Sequence, residues 1–152
     1  MQTSYYLRHN PVMVMGAIDG ALHEHGRADI GRIAALLPMI MDEKIETLLL
    51  ENRIQYSFRQ LVQTNNMFLS NYNERYISLL RPFYHALSIM LDAEQITICE
   101  KEVMLSESAT SDVYEEMESV KMHKVRRTAK LLFHLAERET IKELYQLLKV
   151  EV

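Results

Sequence analysis

A chain of 152 residues with a net charge of −4 can bury one core, and it is too acidic to coat nucleic acid indiscriminately, which leaves room only for a local basic patch. No apolar run reaches the roughly 18 residues that a membrane helix needs, and the opening MQTSYYLRHN lacks the apolar stretch of a secretory leader. The single cysteine, Cys99, has no internal partner for a disulfide, so a reducing cytoplasm is the expected location and residues 1–152 read as a single domain.

Apolar periodicity favours helices throughout, and the composition, rich in methionine and free of tryptophan, suits irregular core gaps and adaptable surfaces alike. Asn10-Pro11 reads as a cap followed by proline at the first helical position, opening a helix from Val12 to His25 that Gly26 stops. Asp29 caps a short helix through Leu37, which Pro38 breaks or kinks by removing a backbone donor. Asp42 caps the next helix, with Ile45, Leu48 and Leu49 on one side. Tyr56 to Leu69 is a further helical stretch, burying Phe58, Leu61, Val62 and Phe68. Tyr76 to Leu80 continues after the polar break SNYN, and Arg81-Pro82 restarts a helix to about Leu91.

The pattern then changes. Ile96 to Cys99 and Val103 to Leu105 read as a small β-hairpin whose turn lacks the usual Asn-Gly or Asp-Gly, and which must lie on the helical body or a partner. After a loop at 106–111, a long helix is predicted from about Asp112 to Arg138, with Asp112 and Glu115 spaced as a capping-box variant. Its apolar line is Val125, Ala129, Leu132 and Ala136. Thr140 and Glu143 form the capping box of a last helix that buries Ile141, Leu144, Tyr145 and Leu148. The expected fold is therefore mainly α, a multi-helix domain with one small hairpin near 96–105 and a winged-helix-like order of elements.

Catalytic motifs do not surface. The phosphate-binding glycine loop, the dinucleotide GxGxxG after a strand and the Gly-x-Ser-x-Gly elbow are all missing, so no catalytic residue and no cofactor is expected. His23-Glu24-His25 with Asp19 is the best metal candidate, yet alternate helical residues point about 200° apart and cannot share an ion while the helix lasts. A polar helix end, with histidine near the C-terminal dipole, is the plainer account, and no metal is expected. Cys99 with His85 or His134 would be a thiol nucleophile, but a cysteine in an apolar strand reads first as packing.

Charge carries more information. Nine acids lie between Asp92 and Glu118 against one base, Lys101, whereas 121–130 holds Lys121, Lys124, Arg126, Arg127 and Lys130 with His123 and no acid. Two readings stay open: charges that complement a helix dipole and pair at i,i+4, or a basic stripe that meets nucleic-acid phosphate or an acidic partner. Lys124, Arg127 and Lys130 share one helical face. Base-specific reading of DNA is not expected, because the helix before the hairpin, PFYHALSIMLDAEQ, offers apolar residues and acids.

The order of these segments resembles the middle components of bacterial three-component ABC-type ATPase conflict systems, of which the Lamassu anti-phage system is a branch. The likeness rests on Asn10-Pro11, on Leu36-Leu37-Pro38-Met39-Ile40-Met41 followed by the helix ending Thr47-Leu48-Leu49, on Leu79-Leu80-Arg81-Pro82 leading to the strand from Ile96 to Ile98, and on Thr140-Ile141 through Tyr145, Leu147, Leu148 and Val150. Two positions depart from the family pattern: a tryptophan is missing from the segment 57–62, and Lys149 stands where the terminal signature has glycine. The resemblance implies a non-catalytic adaptor that binds the head region of an SMC- or Rad50-like ATPase and restrains an effector nuclease until invading DNA relieves it. Tyr5, Tyr6 and Leu7 are candidates for a docking arm, and Lys121, Lys124, Arg126, Arg127 and Lys130 for partner or DNA contact.

Overall fold

The Asn10 side chain accepts a hydrogen bond from the Val12 N–H at 2.9 Å, and helix α1 (Pro11–Leu22) begins there with proline in its first turn. In this computed structural model, residues 9–51, 57–107, 113–117 and 119–151 are described. The helix ends at Leu22 with His23 as its cap, three residues short of the expected His25, and Gly26, with φ of +75°, donates to the Leu22 carbonyl in the turn that follows. Every residue from Met13 to Leu22 is buried, so α1 is a central helix rather than a one-sided surface one.

Asp29 caps α2 (Ile30–Ile40) by accepting from the Gly31 N–H, and Asp42 caps α3 (Glu43–Glu51) through the N–H groups of Lys44 and Ile45. Proline does not end α2 at Leu37 as expected. Pro38 lies inside the helix, which closes with the Met41 N–H on the Leu37 carbonyl, because Leu36, Leu37, Met39 and Ile40 are all needed in the core. Leu48 and Leu49 pack at the core's margin, half-buried.

Helix α4 (Phe58–Thr64) is shorter than the predicted stretch and starts with a capping box between Ser57 and Gln60; a 3-10 segment, Asn66–Asn71, follows. Phe58, Leu61 and Val62 are buried as expected, while Tyr56 and the Phe68 side chain lie outside the described residues. Helix α5 (Tyr72–Asp92) is continuous, in contrast to the expected restart at Arg81-Pro82. Its buried stripe, Tyr72, Tyr76, Leu79, Phe83, Ala86 and Met90, keeps helical spacing straight through Pro82, so packing on both sides offsets the lost hydrogen bond.

The expected hairpin is present as β2 (Ile96–Cys99) and β3 (Glu102–Leu105), antiparallel, with Cys99 opposite Glu102. Glu100 takes φ of +56° in the turn, the conformation that Asn-Gly would ordinarily supply. A third strand, β1 (Arg27–Asp29), was not expected; it pairs with β3 in the order β1-β3-β2, with Ala28 opposite Val103. Three residues are too few to show alternation in the sequence. Ile96 and Val103 anchor the sheet on the helical core. Cys99, read as packing, is exposed at the end of its strand.

The predicted long helix is two: α6 (Val113–Glu116) and α7 (Val120–Ala136). The Ser119 side chain accepts from the Met122 N–H and gives α7 its own start. Asp112 and the Glu115 side chain lie outside the described residues. The capping box of Thr140 and Glu143 opens α8 (Ile141–Leu148), which buries Leu144 and Leu148; Ile141 and Tyr145 are only half-buried. Lys149, in the place of the family glycine, sits at φ of +57°, a left-handed cap that explains why glycine suits the position. Among the described residues, no helix is long and apolar enough to cross a membrane.

Candidate interaction surface on helix α7

Helix α7 lies against α1 along a seam kept close by two glycines. A Cβ on Gly20 would stand 2.4 Å from the Arg126 carbonyl oxygen, and one on Gly16 would stand 2.1 Å from the Met122 sulfur. The predicted apolar line, Val125, Ala129, Leu132 and Ala136, is wholly buried in this arrangement. At the far end of α7, the Arg32 guanidinium donates to the carbonyls of Ala136 and Glu139, closing the helix C-terminus from outside.

The five basic residues of 121–130 divide by face. Arg126 turns inward and is buried. Its Nε and Nη2 stand 3.1 and 3.0 Å from Asp19 Oδ2, and Nη2 is 3.1 Å from His23 Nε2. The guanidinium also lies 5.9 Å from the centre of the Tyr114 ring, whose phenol is pushed up to about 12 chiefly by burial and donates to Gln95 at 2.6 Å. Lys121 bonds Glu46 of α3 at 3.0 Å. Both pairs join separate helices, in place of the i,i+4 pairs the sequence suggested. Lys124, Arg127 and Lys130 remain exposed on one face and form no ion pair among the described residues.

Two depressions flank that face. One, of about 520 Å³, is lined by Gly20, His23, His123, Arg126, Arg127 and Lys130. The other, of about 420 Å³, is lined by Glu43, Glu46, Thr47, Val120, Lys121 and Lys124. The run His23-Glu24-His25 sends its side chains to different partners: His23 to Asp19 and Arg126, Glu24 to His134 at 3.2 Å, and His25 to Glu137 at 3.5 Å. Among the described residues, no three His, Cys, Asp or Glu side chains converge to hold a metal ion.

Sequence reasoning placed the exposed cations on one face but missed the Asp19–Arg126 pair and the histidine-flanked depression. Asp19 and Arg126 are 107 residues apart, and no local pattern joins them. The Gly16 and Gly20 spacing was the available signal, since two small residues four apart mark one helical face for close approach. Tyr5, Tyr6 and Leu7 lie outside the described residues.

Residues 23–152 match the family model described as ABC-three component (ABC-3C) system Middle Component 3. The match takes in every described element except α1. No curated protein and no solved structure matches the chain. An α-helical body with a small antiparallel sheet, matched over nearly its whole length, establishes the chain as a member of the middle-component-3 family of ABC-three component systems.

Proposed function

We propose that the protein is a non-catalytic adaptor acting in the cytoplasm, which binds an SMC- or Rad50-like ATPase and regulates an effector nuclease in a Lamassu-type antiviral defence complex. Family membership in a multi-component ABC system carries this reading, because a middle component has its place among protein partners. The surface supports it. Ile77, Tyr84 and Leu91 recur every seven residues on the outer side of α5 and are 56%, 56% and 39% exposed. Such spacing forms an apolar seam of the kind a partner helix packs against, and it stands ready without rearrangement of the core.

The test is co-expression of the tagged full-length chain with its genomic neighbours, followed by affinity capture at low salt. A large coiled-coil ATPase should co-purify, and Ile77→Asp with Tyr84→Asp should reduce its recovery. Capture of the chain alone would overturn the reading.

A second reading, contact with the phosphate backbone of nucleic acid, is favoured by the exposure of Lys124, Arg127 and Lys130 without acidic partners among the described residues. Binding that weakens steeply with added salt would support it. Arg126 and Lys121 contribute little to this contact, because each is already committed to a carboxylate.

A further inference from the structure

The two depressions beside α7 differ in charge although one helix builds both. In the smaller, Glu43 and Glu46 stand among Lys121 and Lys124, and Lys121 is paired with Glu46. In the larger, every lining side chain is histidine, arginine or lysine. His123, Arg126, Arg127 and Lys130 fall on one side of α7 because they are three or four residues apart, and His23 reaches in from the end of α1. Gly20 adds no side chain to the floor, which is the close backbone seam between the two helices.

Within this wall the cations have different tasks. Arg126 is fixed by Asp19 beneath it, so the buried carboxylate is already answered. Arg127 and Lys130 are exposed and without acidic partners among the described residues. Their mutual repulsion is relieved by an anion seated between them. A tetrahedral oxyanion suits the set. Arginine offers a planar fork, lysine a mobile point charge, and the His123 imidazole one ring N–H, while phosphate supplies several acceptor oxygens. The open depression, of about 520 Å³, has room for a phosphate together with an attached sugar.

We propose that the depression formed by His23, His123, Arg127 and Lys130 is a phosphate-binding site, taking the phosphate group of a nucleic-acid strand or of a small phosphorylated ligand. The inference refines the nucleic-acid reading of α7 from a stripe to a pocket, and it leaves Lys124 outside. It does not depend on the adaptor reading.

The experiment titrates the isotope-labelled full-length chain at low salt with inorganic pyrophosphate and, separately, with short single-stranded DNA, following backbone and histidine resonances. Saturable shifts centred on His23, His123, Arg127 and Lys130 are expected with pyrophosphate. Arg127→Gln and Lys130→Gln should each weaken that binding about tenfold, the effect of losing one charged hydrogen-bond donor, whereas Lys124→Gln should change it less than about twofold. Saturation by both probes at the same residues identifies a strand phosphate as a fitting source; saturation by pyrophosphate alone identifies a small phosphorylated ligand. DNA binding without pyrophosphate binding, weakened equally by Lys124→Gln and Arg127→Gln, would overturn the pocket and leave the stripe. No binding of either probe would overturn both.

Discussion

The two sides of α7 use the same residue types for opposite ends. On the strip facing α1, Arg126 is buried against Asp19 and the helices meet at glycine backbones; on the strip beside it, Lys124, Arg127 and Lys130 stand in solvent. A run of bases read as one stripe is thus two groups, one that holds the molecule together and one available to others. The difference follows from what lies opposite each position, not from the side chain itself.

The largest effect that would sharpen this contrast is Asp19→Ala. It removes the carboxylate that both Nε and Nη2 of the buried Arg126 face, and about 3–5 kcal/mol of unfolding free energy should be lost in urea titrations. Adding Arg126→Met to that variant should restore part of the loss, since the buried charge goes with the arginine. Gly20→Ala should cost about 3 kcal/mol, because its Cβ meets the backbone of α7 and the helices must separate. Gly16→Ala meets instead the flexible end of Met122 and should cost less. A Gly20→Ala protein with unchanged stability would break the account of the seam.

Ser119→Ala comes next, at about 1 kcal/mol, and should fray the first turn of α7 in amide hydrogen exchange. If α6 and α7 instead joined into one helix, protection across 117–120 would rise. The smallest effect belongs to the outer side. Lys124→Ala, Arg127→Ala and Lys130→Ala should each stay within about 0.5 kcal/mol of the parent by thermal or chemical unfolding. A large loss from any of them would mean that the exposed side is structural too.

Much of the fold was legible because its signals are local. Asn10, Asp29, Asp42 and Thr140 accept their cap hydrogen bonds where the sequence puts them, and Gly26 takes a left-handed turn after the first helix, which ends three residues earlier than expected. The hairpin was legible from its β-branched residues. What failed locally was decided by tertiary packing: Pro38 and Pro82 sit inside helices because their neighbours share a continuous buried stripe, and β1 exists because β3 offers it an edge. Sequence also placed Lys124, Arg127 and Lys130 together, since helical spacing alone does that. It could not separate Lys121 and Arg126 from them, because Glu46 and Asp19 lie 75 and 107 positions away.

That distance has a consequence for synthesis. Helix α1, buried from Met13 to Leu22, leaves the ribosome long before the helix it leans on most closely. At about 5–20 residues per second, on the order of 5–20 s pass before the far side of the seam is made. During that interval a strongly apolar segment has no permanent cover, so nascent chains halted short of α7 should be held by chaperones or degraded.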